Sequence, residues 1–172
     1  MRLFIALHFS APFKAALCRG MDALRQQGHG NFTREENLHL TLAFLGECES
    51  AKPAIRALKQ VQAPAFSLTL DRLGRFGDLY WAGVRREVKL MDLQKQVSQA
   101  LAEAGFSLEE RKFKPHLTLC RQFVPYSAVD EESVRQAMGD PQCRIEKISL
   151  MQSSRIGGKL VYTELFSQQL EK

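Results

Sequence analysis

The same four residues, His-Leu-Thr-Leu, occur twice in the chain, at His39 to Leu42 and at His116 to Leu119. With ordinary composition, the chance of such a recurrence is on the order of one in a hundred thousand or less. Each copy pairs an imidazole, which titrates near neutral pH, with a hydroxyl that donates hydrogen bonds. Two such pairs indicate acid and base catalysis on an anionic substrate.

A duplication kept only for packing is the alternative interpretation. Leucine and threonine suit β-strands, and backbone groups can satisfy a buried histidine. Packing alone would preserve the leucines more readily than a histidine and a threonine together. The repeat therefore favours a chemical role.

Strand geometry fixes the directions of the motif side chains, because residues i and i+2 project from the same face. His39 and Thr41 are expected to point together, as are His116 and Thr118, while the leucines point into the interior. If two lobes pack about a pseudo-twofold axis, the two pairs face each other across a cleft. Four polar groups then converge on one site.

The chemistry of such a site suits phosphoryl transfer. Imidazoles with an ordinary pKa of about 6.5 allow one ring to be neutral and the other protonated near pH 7. Two threonine hydroxyls can donate to non-bridging oxygens as a pentacoordinate phosphorus forms. We expect no metal and no cofactor, because the spacing differs from that of a His-Glu-x-x-His zinc helix and two histidines are too few ligands.

Hydrophobic periodicity predicts the elements that position the motifs. Strands are predicted at Leu3 to Phe9, Leu38 to Leu45, Phe66 to Leu70, Tyr80 to Val84, Leu117 to Phe123, Ile145 to Met151 and Leu160 to Phe166. Helices are predicted at Pro12 to Gln27, Ser50 to about Gln62, Val88 to Ala104 and Asp130 to Met138, with Ser10 and Ser50 as caps. Gly28-His29-Gly30 is predicted to end the first helix and open a loop.

Each motif is followed by a helix and then two strands, which predicts two related lobes of mixed α and β structure. A length of 172 residues suits one domain. The short apolar start argues against a signal peptide or membrane span, so we expect a cytoplasmic protein. The four scattered cysteines predict reduced thiols. A net charge of +5 permits an RNA partner without requiring one.

The motifs and their neighbours resemble the two-histidine phosphoesterases, and among these the bacterial and archaeal RNA 2′,3′-cyclic phosphodiesterases, first named for 2′-5′ RNA ligase activity. The matching segments are Arg2 to Leu7, Asn37 to Gly46, Pro115 to Arg121, Ser153-Ser154 and Gly157-Gly158. The resemblance implies an α+β fold over residues 1–172. That fold has two pseudo-symmetric lobes, each an antiparallel sheet flanked by helices, with a central cleft.

The resemblance also implies residue roles. His116 would accept a proton from the attacking water, and His39 would donate one to the leaving 3′ oxygen. Thr41, Thr118 and Arg121 would bind the phosphate. The two motifs are identical, so this division between acid and base rests on the resemblance alone. The implied partner is RNA or an oligonucleotide with a 2′,3′-cyclic phosphate; a monomer is the default expectation.

Arg121 raises a geometric problem, because it is an odd number of residues from His116 and would face away on a straight strand. Its role therefore requires a bend near Cys120; a solvated surface arginine is the alternative. Parity places Cys120 on the catalytic face, but a small buried thiol is favoured over a nucleophile. His8 and His29 are interpreted as surface histidines.

Five aromatic residues could offer a ring to the base beside the cyclic phosphate, although core packing is the expectation for most of them. They are Phe4, Phe44, Phe76, Trp81 and Tyr162. Two other functions stay open at this stage. One is hydrolysis of another cyclic phosphate, such as a nucleotide or ADP-ribose derivative, and the other is non-catalytic binding of RNA ends.

Overall fold

The computed structural model describes all 172 residues. Nine strands, four α-helices and a short 3-10 helix follow each other along the chain. The first half contains β1 (Arg2–Leu7), α1 (Ala11–Arg25), β2 (Gly28–Phe32), the 3-10 helix (Glu35–Asn37), β3 (Leu40–Glu47), α2 (Lys52–Lys59), β4 (Phe66–Phe76) and β5 (Leu79–Val84). The second half contains α3 (Val88–Glu103), β6 (Leu117–Pro125), α4 (Glu131–Met138), β7 (Gln142–Ile145), β8 (Lys147–Ile156) and β9 (Lys159–Gln169).

The strands form two sheets in which every pair is antiparallel. The first sheet has the order β3-β1-β8-β9, and the second has the order β2-β6-β5-β4-β7. The two motif strands, β3 and β6, contact each other where the sheets adjoin. The predicted α+β class with two antiparallel sheets and flanking helices is confirmed.

The two halves of the sequence are not the two lobes. Strands β8 and β9, which follow the second motif, join the sheet of the first motif. Strands β4 and β5, which follow the first motif, join the sheet of the second. The first motif strand is followed by a helix and two strands as predicted, whereas the second is followed by a helix and three strands. Each sheet is assembled from strands of both halves.

A hydrophobic core of 32 buried residues holds the sheets and helices together. Strand β1 contributes Leu3, Ile5 and Leu7 to this core, while its Phe4 and Ala6 pack on the opposite face with Met151. Helix α3 buries the predicted stripe of Leu90, Leu93, Val97 and Leu101. No helix combines the length and apolar character that crossing a bilayer requires.

The predicted loop at Gly28 to Gly30 is wrong, because this segment begins β2 and pairs with β6. Both glycines are needed for close packing and not for a helix stop. A Cβ atom on Gly28 would lie 2.3 Å from Cζ of Phe123, and one on Gly30 would lie 2.7 Å from Sγ of Cys120. Close tertiary contacts, and not a turn, therefore explain why glycine occupies positions 28 and 30.

Several predicted boundaries also differ. The strand predicted from Ile145 to Met151 is two strands, because β7 pairs with β4 in one sheet and β8 with β1 in the other. The first strand ends at Leu7, and Phe9 instead stacks on Phe13 with ring centroids 4.5 Å apart. Ser10 occupies the N-cap position without a side-chain hydrogen bond, and α2 ends at Lys59.

Candidate active site

The two histidines occupy equivalent positions, each directly before its motif strand. Leu40 and Leu42 on β3 are buried in the core, as are Leu117 and Leu119 on β6. The histidines and threonines are only partly buried and project from the opposite faces of these strands. The leucines thus fix the register that presents each imidazole and hydroxyl together.

Both imidazoles are oriented by the same backbone interaction. Nδ1 of His39 lies 2.7 Å from the carbonyl oxygen of Asn37, and Nδ1 of His116 lies 2.7 Å from the carbonyl oxygen of Lys114. A carbonyl only accepts, so Nδ1 carries the hydrogen in both rings. The Nε2 atom of each neutral ring is left as the proton acceptor, which is the arrangement that acid and base catalysis requires.

Asn37 is a positioning residue that the motif search did not single out. It is buried, its carbonyl orients His39, and its Nδ2 donates to the carbonyl oxygen of Leu160 at 3.1 Å. Arg34 donates to the same carbonyl oxygen. These contacts tie the segment before the first motif to the start of β9. The only signal in the sequence is a polar residue two positions before the histidine.

The first pair is joined by a hydrogen bond between Nε2 of His39 and Oγ1 of Thr41, 2.9 Å apart. When the ring is neutral, the hydroxyl donates to Nε2. An incoming phosphate oxygen can compete for that hydroxyl, so Thr41 can exchange its ring partner for a substrate oxygen.

Burial lowers the pKa of His39, and the positive charges of Arg121 and His116 lower it further. The hydrogen bond to the Asn37 carbonyl acts in the opposite direction. The free protein is therefore biased toward a neutral His39, whereas a proton donor must be protonated. A phosphate anion bound beside the ring would raise the pKa of His39.

The bend that Arg121 requires is present in β6. Thr118 pairs with Trp81 and Cys120 with Tyr80, so Leu119 is an extra residue in the ladder. This bulge buries Leu119 and Cys120 in succession and leaves Arg121 exposed. The charge of Arg121 acts on His39 and on Tyr162, which places it toward the first motif.

Gln122 follows the bulge with a φ of 55°, which is rare for a residue that is not glycine. Its side-chain oxygen accepts a hydrogen bond from Asn31 of β2 at 2.6 Å. A second register shift between β2 and β6 occurs here. The backbone of β6 is therefore irregular both before Arg121, at the Leu119 bulge, and directly after it.

Cys120 does not line the cleft. It is fully buried against Tyr80 and Phe123, and burial raises the pKa of its thiol to about 11. The interpretation of a small buried thiol is therefore confirmed. His8 differs from its prediction as a surface residue, because it is half-buried with Nε2 3.3 Å from Sδ of Met151.

Aromatic rings surround both histidines. The ring centroids of Phe4 and Tyr162, two of the five aromatic candidates, each lie 5.1 Å from that of His39. Around His116, Phe76 lies 5.4 Å away and Trp81 6.2 Å away. These rings provide the low-dielectric walls that strengthen charge interactions at a phosphate.

Trp81 pairs with Gly74 on one side and with Thr118 of the motif strand on the other, and its ring packs against Gly74. A Cβ atom on Gly74 would approach its Cζ2 atom to 2.3 Å, so only glycine fits beneath the ring. The guanidinium of Arg72 lies 5.3 Å from the ring centroid. The indole Nε1 is buried without a hydrogen-bond partner.

A cavity of about 930 Å³ opens beside His39. Phe4, Phe44 and Tyr162 contribute aromatic walls, and Arg2 and Arg155 contribute positive charge. No three His, Cys, Asp or Glu side chains come together in a group suited to a metal ion. The expectation that the reaction uses no metal stays a prediction.

Comparison of the sequence with known proteins identifies a matching family and several similar proteins. Residues 13–157 match the model of the 2′-5′ RNA ligase superfamily. A Thermotoga maritima protein named RNA 2′,3′-cyclic phosphodiesterase is 31% identical, over 99% of this chain and 96% of the relative. A Geobacillus stearothermophilus protein of the same name is 35% identical over 77% of this chain but only 45% of its own length, so the chain spans about half of that relative.

Solved structures give the same relationship. The crystal structure of Escherichia coli LigT complexed with 3′-AMP superposes with a TM-score of 0.82 and 27% identity, covering 99% of this chain and 98% of that one. The same protein complexed with phosphate gives a TM-score of 0.77 at 26% identity, with the same coverage.

Proposed function

Because the chain belongs to the 2′-5′ RNA ligase superfamily, we propose that it hydrolyses RNA 2′,3′-cyclic phosphate ends to 2′-phosphomonoesters. The observation that carries the proposal is the matched pair of His-x-Thr sites, whose Nδ1 atoms are both bonded to a carbonyl two residues earlier. Relatives named RNA 2′,3′-cyclic phosphodiesterase support the substrate class.

The proposed reaction uses one histidine on each side of phosphorus. Nε2 of neutral His116 accepts a proton from water while the water oxygen bonds to phosphorus. The bond from phosphorus to the 3′ oxygen breaks, and that oxygen takes the proton from Nε2 of His39. The products are a 2′-phosphate and a 3′-hydroxyl, with His116 protonated and His39 neutral. Proton exchange with solvent restores both rings.

The phosphate is held by the remaining three proposed residues. Thr41 and Thr118 donate hydrogen bonds to its non-bridging oxygens, and Arg121 adds positive charge as negative charge grows in the transition state. The phosphate in turn supplies the negative charge that the proton donor needs. Burial and nearby cations lower the pKa of His39 in the free protein. The bound phosphate anion raises that pKa and so favours the protonated ring that a proton donor requires.

The same ring opening, with the 5′-hydroxyl of another RNA end attacking phosphorus in place of water, would form a 2′-5′ linkage and free the 3′-hydroxyl, so reversible RNA ligation belongs to the proposal. We further propose one domain over residues 1–172, a monomer, a cytoplasmic location and catalysis without metal or cofactor. Full activity of the protein in the presence of a chelator supports catalysis without a metal.

The first experiment incubates the protein with an oligonucleotide ending in a 2′,3′-cyclic phosphate, in the presence of a chelator. His39→Ala and His116→Ala should each lower turnover by roughly 100-fold or more, since each removes the acid or the base. His29→Ala on the exposed edge of β2 is the matched control and should retain full activity. Near wild-type turnover in either motif variant, with an unchanged circular dichroism spectrum, removes that histidine from the mechanism.

The other candidate functions give different results in the same assay. Hydrolysis of a cyclic nucleotide or cyclic ADP-ribose derivative, with no turnover of the oligonucleotide, indicates a sibling enzyme. Tight binding of the oligonucleotide without turnover indicates an end-binding protein. Loss of activity with the chelator, restored by zinc or manganese, contradicts the metal-free mechanism.

The direction of ring opening needs its own measurement. Phosphorus NMR of the product, or its resistance to an enzyme that removes only 3′-phosphates, distinguishes the two isomers. We expect the 2′-phosphate. A 3′-phosphate product leaves the acid and base chemistry intact but reverses the seating of the ribose between the histidines.

A further inference from the structure

The cavity beside His39 is larger than a ribose cyclic phosphate needs. Its volume of about 930 Å³ lies near the upper end of the range for small-molecule sites, roughly 300–1,000 Å³. It extends from His39, past Phe4 and Tyr162, to Arg2 and Arg155. The space is therefore continuous with the site and leads away from the reacting phosphate.

An exposed aromatic ring lies on the wall of this cavity. Phe44 is 63% exposed, whereas its strand neighbour Phe4 is only 4% exposed. The two residues pair across β1 and β3, and their ring centroids are 6.4 Å apart. Phe4 in turn contacts His39. Phe44 thus lies one ring farther from the reacting phosphate, with its surface open to solvent.

Positive charge accompanies the ring. Arg2 and Arg155 are exposed at the same cavity, and Arg2 pairs with Ser153 on the neighbouring strand, two residues from Arg155. Arg155 lines this cavity together with Tyr162, and its charge acts on the Tyr162 hydroxyl, as the charge of Arg121 does. Arg2 and Arg155 line the cavity whereas Arg121 does not, so an anion in this cavity has its own pair of arginines.

The acidic residues at this cavity have partners of their own. Glu47 lies 3.4 Å from the N-terminal amino group, and Glu109 lies 3.1 Å from Arg111. Their charge is partly balanced, while Arg155 makes only a long hydrogen bond, 3.3 Å, to the carbonyl oxygen of Gly158. The cavity therefore favours an anion near its arginines.

We infer that this cavity binds the nucleotide that precedes the cyclic phosphate end, with its base stacked on Phe44 and its phosphodiester held by Arg155 and Arg2. An exposed ring beside a basic groove is how proteins bind single-stranded nucleic acid without reading its sequence. The inference rests on the proposed function and deepens it. The substrate is an oligonucleotide end in preference to a free cyclic nucleotide.

The test compares three substrates: a 2′,3′-cyclic mononucleotide, a dinucleotide ending in the same cyclic phosphate, and that dinucleotide with an abasic first residue. The wild-type protein should have a kcat/KM at least roughly 10-fold higher for the full dinucleotide than for the mononucleotide. The abasic dinucleotide should fall between them. Equal values for all three substrates overturn the inference but leave the proposed function standing, whereas no turnover of any substrate overturns the proposed function.

Phe44→Ala should lower the ratio of dinucleotide to mononucleotide kcat/KM about 10-fold, and should lower it little when the first residue is abasic. Tyr126→Ala is the matched control, because Tyr126 is 68% exposed and does not line the cavity. An unchanged ratio in Phe44→Ala, or an equal loss on the mononucleotide and the dinucleotide, overturns the assignment of Phe44.

Arg155→Gln should reduce the salt dependence of dinucleotide kcat/KM, with a slope against log salt that is smaller by about 0.7. Arg56→Gln changes the same charge on the exposed face of α2, outside the cavity. Equal slopes in these two variants contradict a phosphate contact at Arg155.

Discussion

The half-buried His8 makes a prediction about acid stability. Burial is the largest cause that lowers the pKa of His8, to about 4, and the charges of His39, Lys14 and Lys147 act in the same direction. Only Glu164 opposes them. In the unfolded chain the ring has its ordinary pKa of about 6.5. Between these values the unfolded state binds more protons, so the free energy of unfolding falls as the pH falls from 6.5 toward 4.

The size of the loss follows from the shift. A difference of about 2.5 pH units corresponds to an upper bound of about 3.4 kcal/mol at pH well below 4, and to about 2 kcal/mol at pH 5. Solvent screening of a partly exposed ring lowers both values. We therefore expect His8 to cost about 1–2 kcal/mol of stability between pH 7 and pH 5.

The measurement is urea unfolding at pH 7, 6 and 5, followed by the fluorescence of the single, buried Trp81. His8→Asn removes the titration and should be less sensitive to acid than the wild type by that amount. His29→Asn serves as the exposed reference. Parallel pH profiles for the wild type and His8→Asn refute the reasoning, because they mean that the ring titrates equally in the folded and unfolded states.

Three further predictions concern the site. Thr41→Val removes the hydroxyl 2.9 Å from Nε2 of His39 and one proposed phosphate donor, so kcat/KM should fall about 100-fold; wild-type kinetics argue against that role. Asn37→Ala removes one of the two donors to the carbonyl oxygen of Leu160, at 3.1 Å, and leaves Arg34 as the other. It should lower the free energy of unfolding by about 0.5–1.5 kcal/mol and lower kcat more than it raises KM; a change in KM alone is inconsistent with a positioning role. Gly74→Ala places a Cβ atom 2.3 Å from Trp81, which should cost about 1–3 kcal/mol and shift the tryptophan emission. Unchanged emission and stability mean that the ring can move aside freely.

The sequence was sufficient to predict features set by local periodicity. The stripe of α3 and the inward leucines of both motifs follow from residue spacing, and the structure buries them as expected. The need for a bend before Arg121 also followed from counting residues along a strand. The bend itself is a bulge at Leu119, and its position depends on pairing with β5, which no local pattern records.

Features that depend on distant contacts were missed. The sequence around Gly28 is typical of a turn, but in the structure Gly28 packs directly against the ring of Phe123. The sequence pattern predicts that Phe4 is a core residue, yet its ring contacts His39 because β1 lies beside β3. His8 reads as exposed because alternation marks the face of a strand but not what covers that face.

The exchange of strands between the halves has a consequence for how the protein folds. Strand β1, near the start of the chain, has β8 as a partner, so the sheet that carries the first motif depends on pairings of very high sequence separation. Pairings between residues so far apart in the sequence give a high contact order, which slows folding. During synthesis, β1 and β3 wait with an open hydrogen-bonding edge until the last strands emerge from the ribosome. A nascent or truncated chain that ends before β8 therefore exposes the edge of β1 that β8 covers in the folded protein, and this edge is prone to aggregation.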